Sequence, residues 1–225
     1  MAAVLTELRQ AERQFSRPEG SVALLPVTKG HPPAVAQQAT RLGLTTLGEN
    51  YLQECWAKDG LLRESGAGPV HWHLLGHLQR NKAKRAAELF QLVESVDSFE
   101  VAQLLSRARL DQTKLPVLCE VELTGLPRRT GFEPDRLQGD FPRLLELEGI
   151  EVEGLMTVAD PANPRQAFSA CRELLERLRE LSGRRLPVLS MGMSEDFPAA
   201  IAAGSTQVRI GSLLFGVRPP VGGAG

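Results

Sequence analysis

Short apolar runs alternate with longer amphipathic stretches along the whole chain. Eight runs have the length and composition of β-strands, at 22–27, 44–47, 71–75, 92–95, 116–123, 152–157, 186–190 and 206–210. Helical periodicity is found at 2–15 and then near 33–42, 50–64, 79–90, 98–108, 134–148, 165–182 and 195–203. Strands that alternate with helices of this length form parallel sheets. Eight of them predict an α/β fold closed into a (β/α)8 TIM barrel.

An open, doubly wound sheet is the alternative arrangement of such units. Its phosphate-binding loop would follow the first strand and contain the pattern GxGxxG, whereas the sequence there is VTKGHPP. No linker or low-complexity stretch divides the chain, which predicts a single domain over 1–225 that includes a frayed tail at 219–225.

Composition narrows the class of protein without identifying its chemistry. The 225 residues carry a net charge of −1, which argues against nucleic acid as a partner because nucleic acid requires a broad basic surface. No stretch approaches the ~20 uninterrupted apolar residues of a membrane span, so no membrane partner is expected. Three cysteines without a CxxC motif predict free thiols and a reducing, cytoplasmic location.

The active groups of such a barrel gather at its C-terminal face, where the strands end. Lys29 directly follows the apolar run at 22–27, in a chain with five lysines against 21 arginines. A lysine at a strand end either extends its amine into water or, when partly desolvated, keeps a neutral amine that attacks an aldehyde. Other residues brought to this face by strand ends are Glu49, Asn50, Gly76, His77, Met156 and Thr157.

The loops after the seventh and eighth strands have the composition of a phosphate site. They read SMGMSED (190–196) and IGSLLFG (210–216), and each combines a serine with glycine, which lets the backbone approach an anion. Either loop alone is equally well an ordinary helix cap or turn. Both together, opposite a strand-end lysine, favour a bound phosphate. Lysine and phosphate predict either a Schiff base with pyridoxal 5′-phosphate or a sugar-phosphate aldolase, and the pattern leaves both open.

The segment HWHLLGH raises the question of a metal site. His71 and His73 are two apart in a predicted strand and therefore face the same side, as a pair of metal ligands would. No aspartate or glutamate accompanies them nearby in the sequence. No metal is therefore predicted.

Five segments between residues 22 and 218 are distinctive in combination: VTKGHP, GENYLQE, HWHLLGHLQRNKAK, GLMTVAD and LSMGMSEDFPAAIAAGSTQVRIGSLLFG. Together they resemble the pyridoxal phosphate homeostasis proteins, the YggS/PROSC family. The resemblance implies a single barrel of the alanine-racemase N-terminal type, a fold-type III arrangement. It also implies pyridoxal 5′-phosphate held as an internal aldimine on Lys29.

The same resemblance implies a set of cofactor-binding residues. It places the phosphate near Ser194, Gly211 and Ser212. Arg209 is implied to lie near the pyridine nitrogen, where it would keep that nitrogen unprotonated and weaken the electron sink that carbanion chemistry needs. The full set of implied positions is Lys29, Asn50, Met191, Ser194, Arg209, Gly211 and Ser212, with Val27, His77 and Met156 lining the pocket. Gly30 and His31 stand where the family often has a Thr–Lys pair, so a positive charge is missing at the pocket mouth.

The resemblance leaves two main classes of function, with a cofactor-free Schiff-base aldolase as a third. The chain is either a carrier that stores the cofactor or delivers it to apo enzymes, or a pyridoxal-phosphate-dependent amino-acid racemase. Racemases that share this barrel take their second base, a tyrosine, from a second domain. Here the chain ends soon after the eighth strand, and the single tyrosine, Tyr51, is expected to pack on the start of a helix. We therefore expect a monomeric homeostasis protein that does not turn over amino acids at an enzymatic rate.

Overall fold

The computed structural model describes residues 1–66, 68–110 and 113–217, and the predicted frayed tail at 219–225 lies outside them. All eight predicted strands are present. They are β1 (Ala23–Pro26), β2 (Thr46–Glu49), β3 (His71–Leu74), β4 (Leu92–Val96), β5 (Leu115–Glu120), β6 (Ile150–Met156), β7 (Val188–Ser190) and β8 (Gln207–Ile210).

The strands form one parallel sheet in the order β1-β8-β7-β6-β5-β4-β3-β2. The remaining gap between β1 and β2 is bridged where Val27 pairs with Gly48, next to a hydrogen bond of 3.0 Å from the Thr28 N–H to the Gly48 carbonyl. The prediction of a single-domain (β/α)8 barrel is confirmed, and the open doubly wound sheet is excluded.

Helices precede β1 and follow the strands as the periodicity predicts, with one additional short helix after β8 that was not predicted. They are α1 (Ala2–Gln14), α2 (Pro33–Arg41), α3 (Leu52–Glu64), α4 (Ala83–Leu89), α5 (Phe99–Arg107), α6 (Pro134–Leu145), α7 (Pro164–Ser182), α8 (Phe197–Ala202) and α9 (Ser212–Phe215), and a 3-10 turn at Arg80–Lys82 precedes α4. Within the residues described, none of these helices has both the length and the apolar character that crossing a membrane requires.

Strand boundaries differ from the prediction by one to three residues, and tertiary pairing explains the shifts of β2 and β5. The predicted strand at 44–47 is shifted to 46–49, since Thr46 is the first residue that pairs with β3. The predicted strand at 116–123 ends at Glu120. Beyond it the chain pairs with its own loop, where the Glu122 N–H donates to the Phe132 carbonyl at 3.0 Å.

The hydrophobic core lies mainly between the barrel and the surrounding helices. Side chains such as Leu105, Phe141 and Phe168 pack there against outward-facing strand residues. The barrel interior holds a smaller apolar cluster of Leu92, Leu118 and Met156. Beside this cluster the interior holds buried polar side chains, among them Glu94, Ser190, Gln207 and Arg209. Buried polar groups are unusual in a core normally filled by branched apolar side chains, and they lead to the candidate site.

Candidate cofactor site

A cavity of about 1310 Å³ opens at the C-terminal ends of the strands. Nine of the ten residues implied by the resemblance line it: Val27, Lys29, Asn50, His77, Met156, Ser194, Arg209, Gly211 and Ser212. Met191 does not line the cavity, because its side chain is fully buried in the main hydrophobic core. The preceding residue, Ser190, faces the barrel interior, so strand alternation turns Met191 toward the helices.

Lys29 lies in the turn that follows β1, and this turn is held from both sides of the lysine. The Thr28 carbonyl accepts a hydrogen bond from Lys58 Nζ at 2.7 Å. The Gly30 N–H donates to Glu54 Oε1, also at 2.7 Å. Gly30 has a φ of +71°, in the left-handed region that glycine adopts without strain. The backbone around Lys29 is thus fixed before any ligand binds.

A buried ionic cluster under this turn was not predicted from the sequence. The Lys58 side chain is 1% exposed, and its Nζ lies 2.6 Å from Glu49 Oε1 and 2.7 Å from Glu54 Oε1. The Thr28 hydroxyl donates to the same oxygen of Glu49 at 2.7 Å. Burial raises the pKa of the Glu49 carboxyl, against the opposing charge of Lys58. Glu49 was expected among the residues at the C-terminal face of the barrel. It instead lies in the buried cluster that supports the turn carrying Lys29. The helical i,i+4 spacing of Glu54 and Lys58 was the available signal.

Arg209 is held by a chain of hydrogen bonds inside the barrel. Its two terminal nitrogens donate to Ser190 Oγ and to the Thr157 carbonyl, each at 2.8 Å. Ser190 Oγ in turn donates to Glu94 Oε2 at 2.6 Å. Glu94 Oε1 accepts from Gln207 Nε2 at 2.7 Å. Burial lowers the pKa of the Arg209 guanidinium, and the Glu94 charge opposes that shift. The network aims a rigid, buried guanidinium at the cavity.

Glu94 is also the partner of His73, whose ring Nδ1 lies 2.9 Å from Glu94 Oε1. The sequence neighbourhood of the two strand histidines shows no carboxylate, and the barrel supplies one from β4. His71 is exposed, at the start of β3. Among the residues that the structure describes, no group of three or more His, Cys, Asp or Glu side chains is arranged to hold a metal ion.

The Glu94 network predicts a pH dependence of stability. Burial alone would raise the pKa of the Glu94 carboxyl, but the hydrogen bonds from His73 and Ser190 and the Arg209 charge hold it below the ordinary value. A lowered pKa stabilises the folded state above the unfolded pKa of about 4.3, and this contribution is lost as pH falls through the folded value. Urea unfolding between pH 7 and pH 3.5 measures it.

The matched variants for that series are Glu94→Gln and Glu148→Gln, the latter at an exposed carboxylate after α6. We expect wild type and Glu94→Gln to differ in unfolding free energy at neutral pH, and we expect the difference to begin to shrink as the pH falls below about 5. Glu148→Gln should follow wild type throughout. A difference between wild type and Glu94→Gln that does not shrink in acid would contradict the proposed ionisation of Glu94.

The two glycine–serine loops meet at one side of the cavity. Gly211 passes close to β1, since a Cβ added there would lie 3.1 Å from the Val27 carbonyl oxygen. Ser212 is the first residue of α9. Ser194 was a candidate N-cap, but the helix that follows begins only at Phe197, and Ser194 lines the cavity instead.

Three titratable side chains lie on the opposite side of the cavity mouth, and the sequence pattern indicates little or nothing of their place there. His77 Nδ1 lies 2.7 Å from Asp97 Oδ2, so this histidine is hydrogen-bonded to a carboxylate rather than simply solvated. Glu120, at the end of β5, is 7% exposed and lines the cavity. Burial raises the pKa of its carboxyl. No local pattern marks Glu120 or Asp97, because only barrel closure brings them beside His77.

Comparison with known proteins places this chain in a family. The family model described as alanine racemase, N-terminal domain, matches residues 2–219. A pyridoxal phosphate homeostasis protein of Pseudomonas aeruginosa is 38% identical over 223 residues, covering 97% of this chain and 94% of that protein. PipY of Synechococcus elongatus, solved with PLP bound, is 36% identical with a TM-score of 0.81, covering 92% of this chain and 98% of PipY.

Alanine racemase of Clostridium difficile shares the fold at 18% identity and a TM-score of 0.72, with 96% of this chain and 57% of the racemase covered. The homeostasis proteins, in contrast, align over nearly their whole length at more than 30% identity. The chain therefore belongs to the alanine racemase N-terminal domain family and, within it, to the pyridoxal phosphate homeostasis proteins.

Proposed function

We propose that this protein binds pyridoxal 5′-phosphate in the barrel-mouth cavity, holds it covalently through Lys29, and stores it or delivers it to other proteins. One observation carries the proposal: the Lys29 amine and the glycine–serine loops after β7 and β8 line the same cavity. The relatives named for pyridoxal phosphate homeostasis, and PipY with PLP bound, support it.

The residues present fit this cofactor at each end. Lys29 Nζ provides the amine for the covalent bond, and Ser194, Gly211 and Ser212 provide hydroxyl and backbone donors for the phosphate. The cofactor supplies the aldehyde carbon and an electron-withdrawing ring. The buried guanidinium of Arg209 disfavours protonation of the ring nitrogen, because two adjacent positive charges repel. Asn50 Oδ1 is buried and has no hydrogen-bond partner within the described ranges, so it can accept a donor from a ligand.

Several observations favour a carrier over a racemase. The curated relatives are named homeostasis proteins. Tyr51, the chain's only tyrosine, is 63% exposed at the start of α3 and is not among the residues that line the cavity. It is therefore badly placed to act as the second base of racemisation. A positive Arg209 beside the ring nitrogen also opposes the carbanion chemistry that racemisation requires.

The direct test mixes cofactor-loaded protein with an apo pyridoxal-phosphate enzyme and follows the gain in client activity. Transfer at a rate above that of free cofactor at the same concentration is the expected result. A proton-exchange assay on free L- and D-amino acids runs beside it, since His77 and Glu120 also line the cavity and are titratable. Rapid α-proton exchange that depends on Lys29 would overturn the carrier function in favour of racemisation.

Ser194→Ala is expected to weaken cofactor binding about tenfold. A hydrogen bond to a charged group is worth ~1.5–3 kcal/mol, and the substitution removes one donor while the backbone donors remain. Titration of apo protein with pyridoxal 5′-phosphate, followed by absorbance, measures the change. Ser182→Ala is the control, since that hydroxyl donates to the Leu178 carbonyl at the far end of α7. Unchanged affinity in Ser194→Ala would remove this loop from the phosphate site.

The partners and location follow from the carrier function as further parts of the proposal. Apo pyridoxal-phosphate enzymes are the recipients. A cytoplasmic location is supported by the three cysteines, Cys55, Cys119 and Cys171, which are all buried free thiols. The exposed large apolar side chains, such as Leu42, Trp56 and Leu181, are distributed over separate elements. Because an interface between subunits usually needs a contiguous apolar patch, this distribution supports a monomer. Sedimentation equilibrium of the protein with and without cofactor tests whether it is monomeric in solution.

A further inference from the structure

The carboxyl group of Glu120 is the one strongly buried acid in the cavity wall whose second oxygen lacks a hydrogen bond within the described residues. Oε1 accepts a hydrogen bond from the Thr130 hydroxyl at 3.0 Å. Oε2 is inaccessible to solvent and has no donor in this part of the structure. A buried oxygen without a donor costs ~1–3 kcal/mol and therefore requires an explanation. Because Glu120 lines the cavity, a ligand bound there can supply the missing donor.

The charges around Glu120 do not satisfy that oxygen. Burial is the main cause that raises the pKa of the Glu120 carboxyl, and the charge of Asp97 raises it further. Arg209 and His77 lower this pKa, but neither donates a hydrogen bond to the carboxyl. Arg209 donates to Ser190 and Thr157, as described above, and His77 is paired with Asp97. Arg209 and His77 are therefore already engaged with other partners.

We propose that Glu120 is a ligand-binding residue whose Oε2 accepts a hydrogen bond from an N–H or O–H donor of a molecule bound in the cavity. The inference rests on the proposed function. It adds a carboxyl acceptor to a site whose acceptor described so far is the amide oxygen of Asn50. The donor has two sources: a polar group of pyridoxal 5′-phosphate itself, or the primary amine of a second molecule that reacts with it. The volume of about 1310 Å³ exceeds the usual range of small-molecule sites and leaves room for both.

The matched variants are Glu120→Leu, Glu120→Gln and Glu122→Gln. Leucine removes the acceptor at similar size, and glutamine can present a neutral amide oxygen in its place. Glu122 is the control, because it lies two residues away, is not among the cavity-lining residues, and has donors at both oxygens from the Thr124 and Gly125 N–H groups. Each variant is compared with wild type as apo and as loaded protein.

Two measurements separate ligand binding from a structural role. The apo protein with Glu120→Leu should unfold at the same denaturant concentration as wild type or at a higher one, since an unsatisfied buried carboxyl is removed. Its affinity for pyridoxal 5′-phosphate should fall about ten- to a hundredfold if the cofactor is the donor, with partial recovery in Glu120→Gln. If a primary amine is the donor, the variant keeps its affinity for the cofactor. With methylamine as the probe amine, the concentration that gives half-maximal release of the cofactor should then rise by the same factor.

Glu122→Gln should behave as wild type in both binding measurements. The inference is overturned if Glu120→Leu changes neither binding property, or if its apo form is markedly less stable than wild type, which would indicate a structural carboxyl. Borohydride labelling of Lys29 in every variant reports on the proposed function separately. Labelling in wild type together with unaltered binding in Glu120→Leu would overturn this inference alone, whereas absent labelling in wild type would overturn the proposed function.

Discussion

Replacing Lys29 with alanine is expected to abolish covalent trapping of pyridoxal 5′-phosphate while leaving the fold intact. Lys29 is half-buried in a turn, and the backbone on both sides of it is held by hydrogen bonds to Lys58 and Glu54. The substitution should therefore change the free energy of unfolding by no more than about 1 kcal/mol. Loss of the amine removes the nucleophile completely, so the expected change in trapping is all-or-none.

Borohydride reduction followed by peptide mass spectrometry measures the trapping. Wild type should carry one cofactor per chain, on the peptide that contains Lys29. Lys82→Ala and Lys114→Ala serve as controls, because both lysines lie outside the residues that line the cavity. Weak non-covalent binding that remains in Lys29→Ala is compatible with the phosphate loops. Labelling of a different lysine in wild type would refute the assignment.

Lys58→Met is expected to have the largest effect on stability. The substitution keeps the length of the side chain but leaves Glu49 and Glu54 without their shared cation, and Glu49 is fully buried. Removing one partner of a buried ion pair typically costs ~3–5 kcal/mol, because the other charge stays desolvated. The loss also removes the donor to the Thr28 carbonyl, so the turn that carries Lys29 should loosen and cofactor binding should weaken as well.

Urea unfolding of the apo protein measures the stability effect. Arg63→Met is the matched control on the same helix, since Arg63 is 77% exposed and pairs with Asp59 at the same i,i+4 spacing. An exposed pair of this kind contributes ~0–1 kcal/mol. The double variant Glu49→Leu/Lys58→Met should recover part of the loss, because no uncompensated charge then remains at the most buried position. Equal effects of Lys58→Met and Arg63→Met would contradict the structural importance of the cluster.

The order of elements and the position of Lys29 were available from the sequence. Each strand and helix is marked by local periodicity, and alternation of eight such pairs leaves few topologies other than a barrel. Parallel strands all end at one face, so the residue after each strand is a site candidate without knowledge of any contact. That reasoning located Lys29, Asn50, Ser194 and the loop at Gly211, all of which line one cavity.

Which side chains are buried together depends on tertiary packing and could not be predicted from local sequence patterns. Glu94 and Ser190 are 96 residues apart in sequence, and Glu94 and Gln207 are 113 apart, yet they form one network behind Arg209. Lys58 follows the pattern of an ordinary helix residue, and it is buried because α3 packs over the turn after β1. Local periodicity cannot reveal such partners, since burial and hydrogen bonding depend on groups that meet only when the barrel closes. Local sequence patterns are therefore sufficient to predict the scaffold and the candidate lysine at the end of the first strand, whereas the charged groups that support and surround that lysine come together only when the barrel closes.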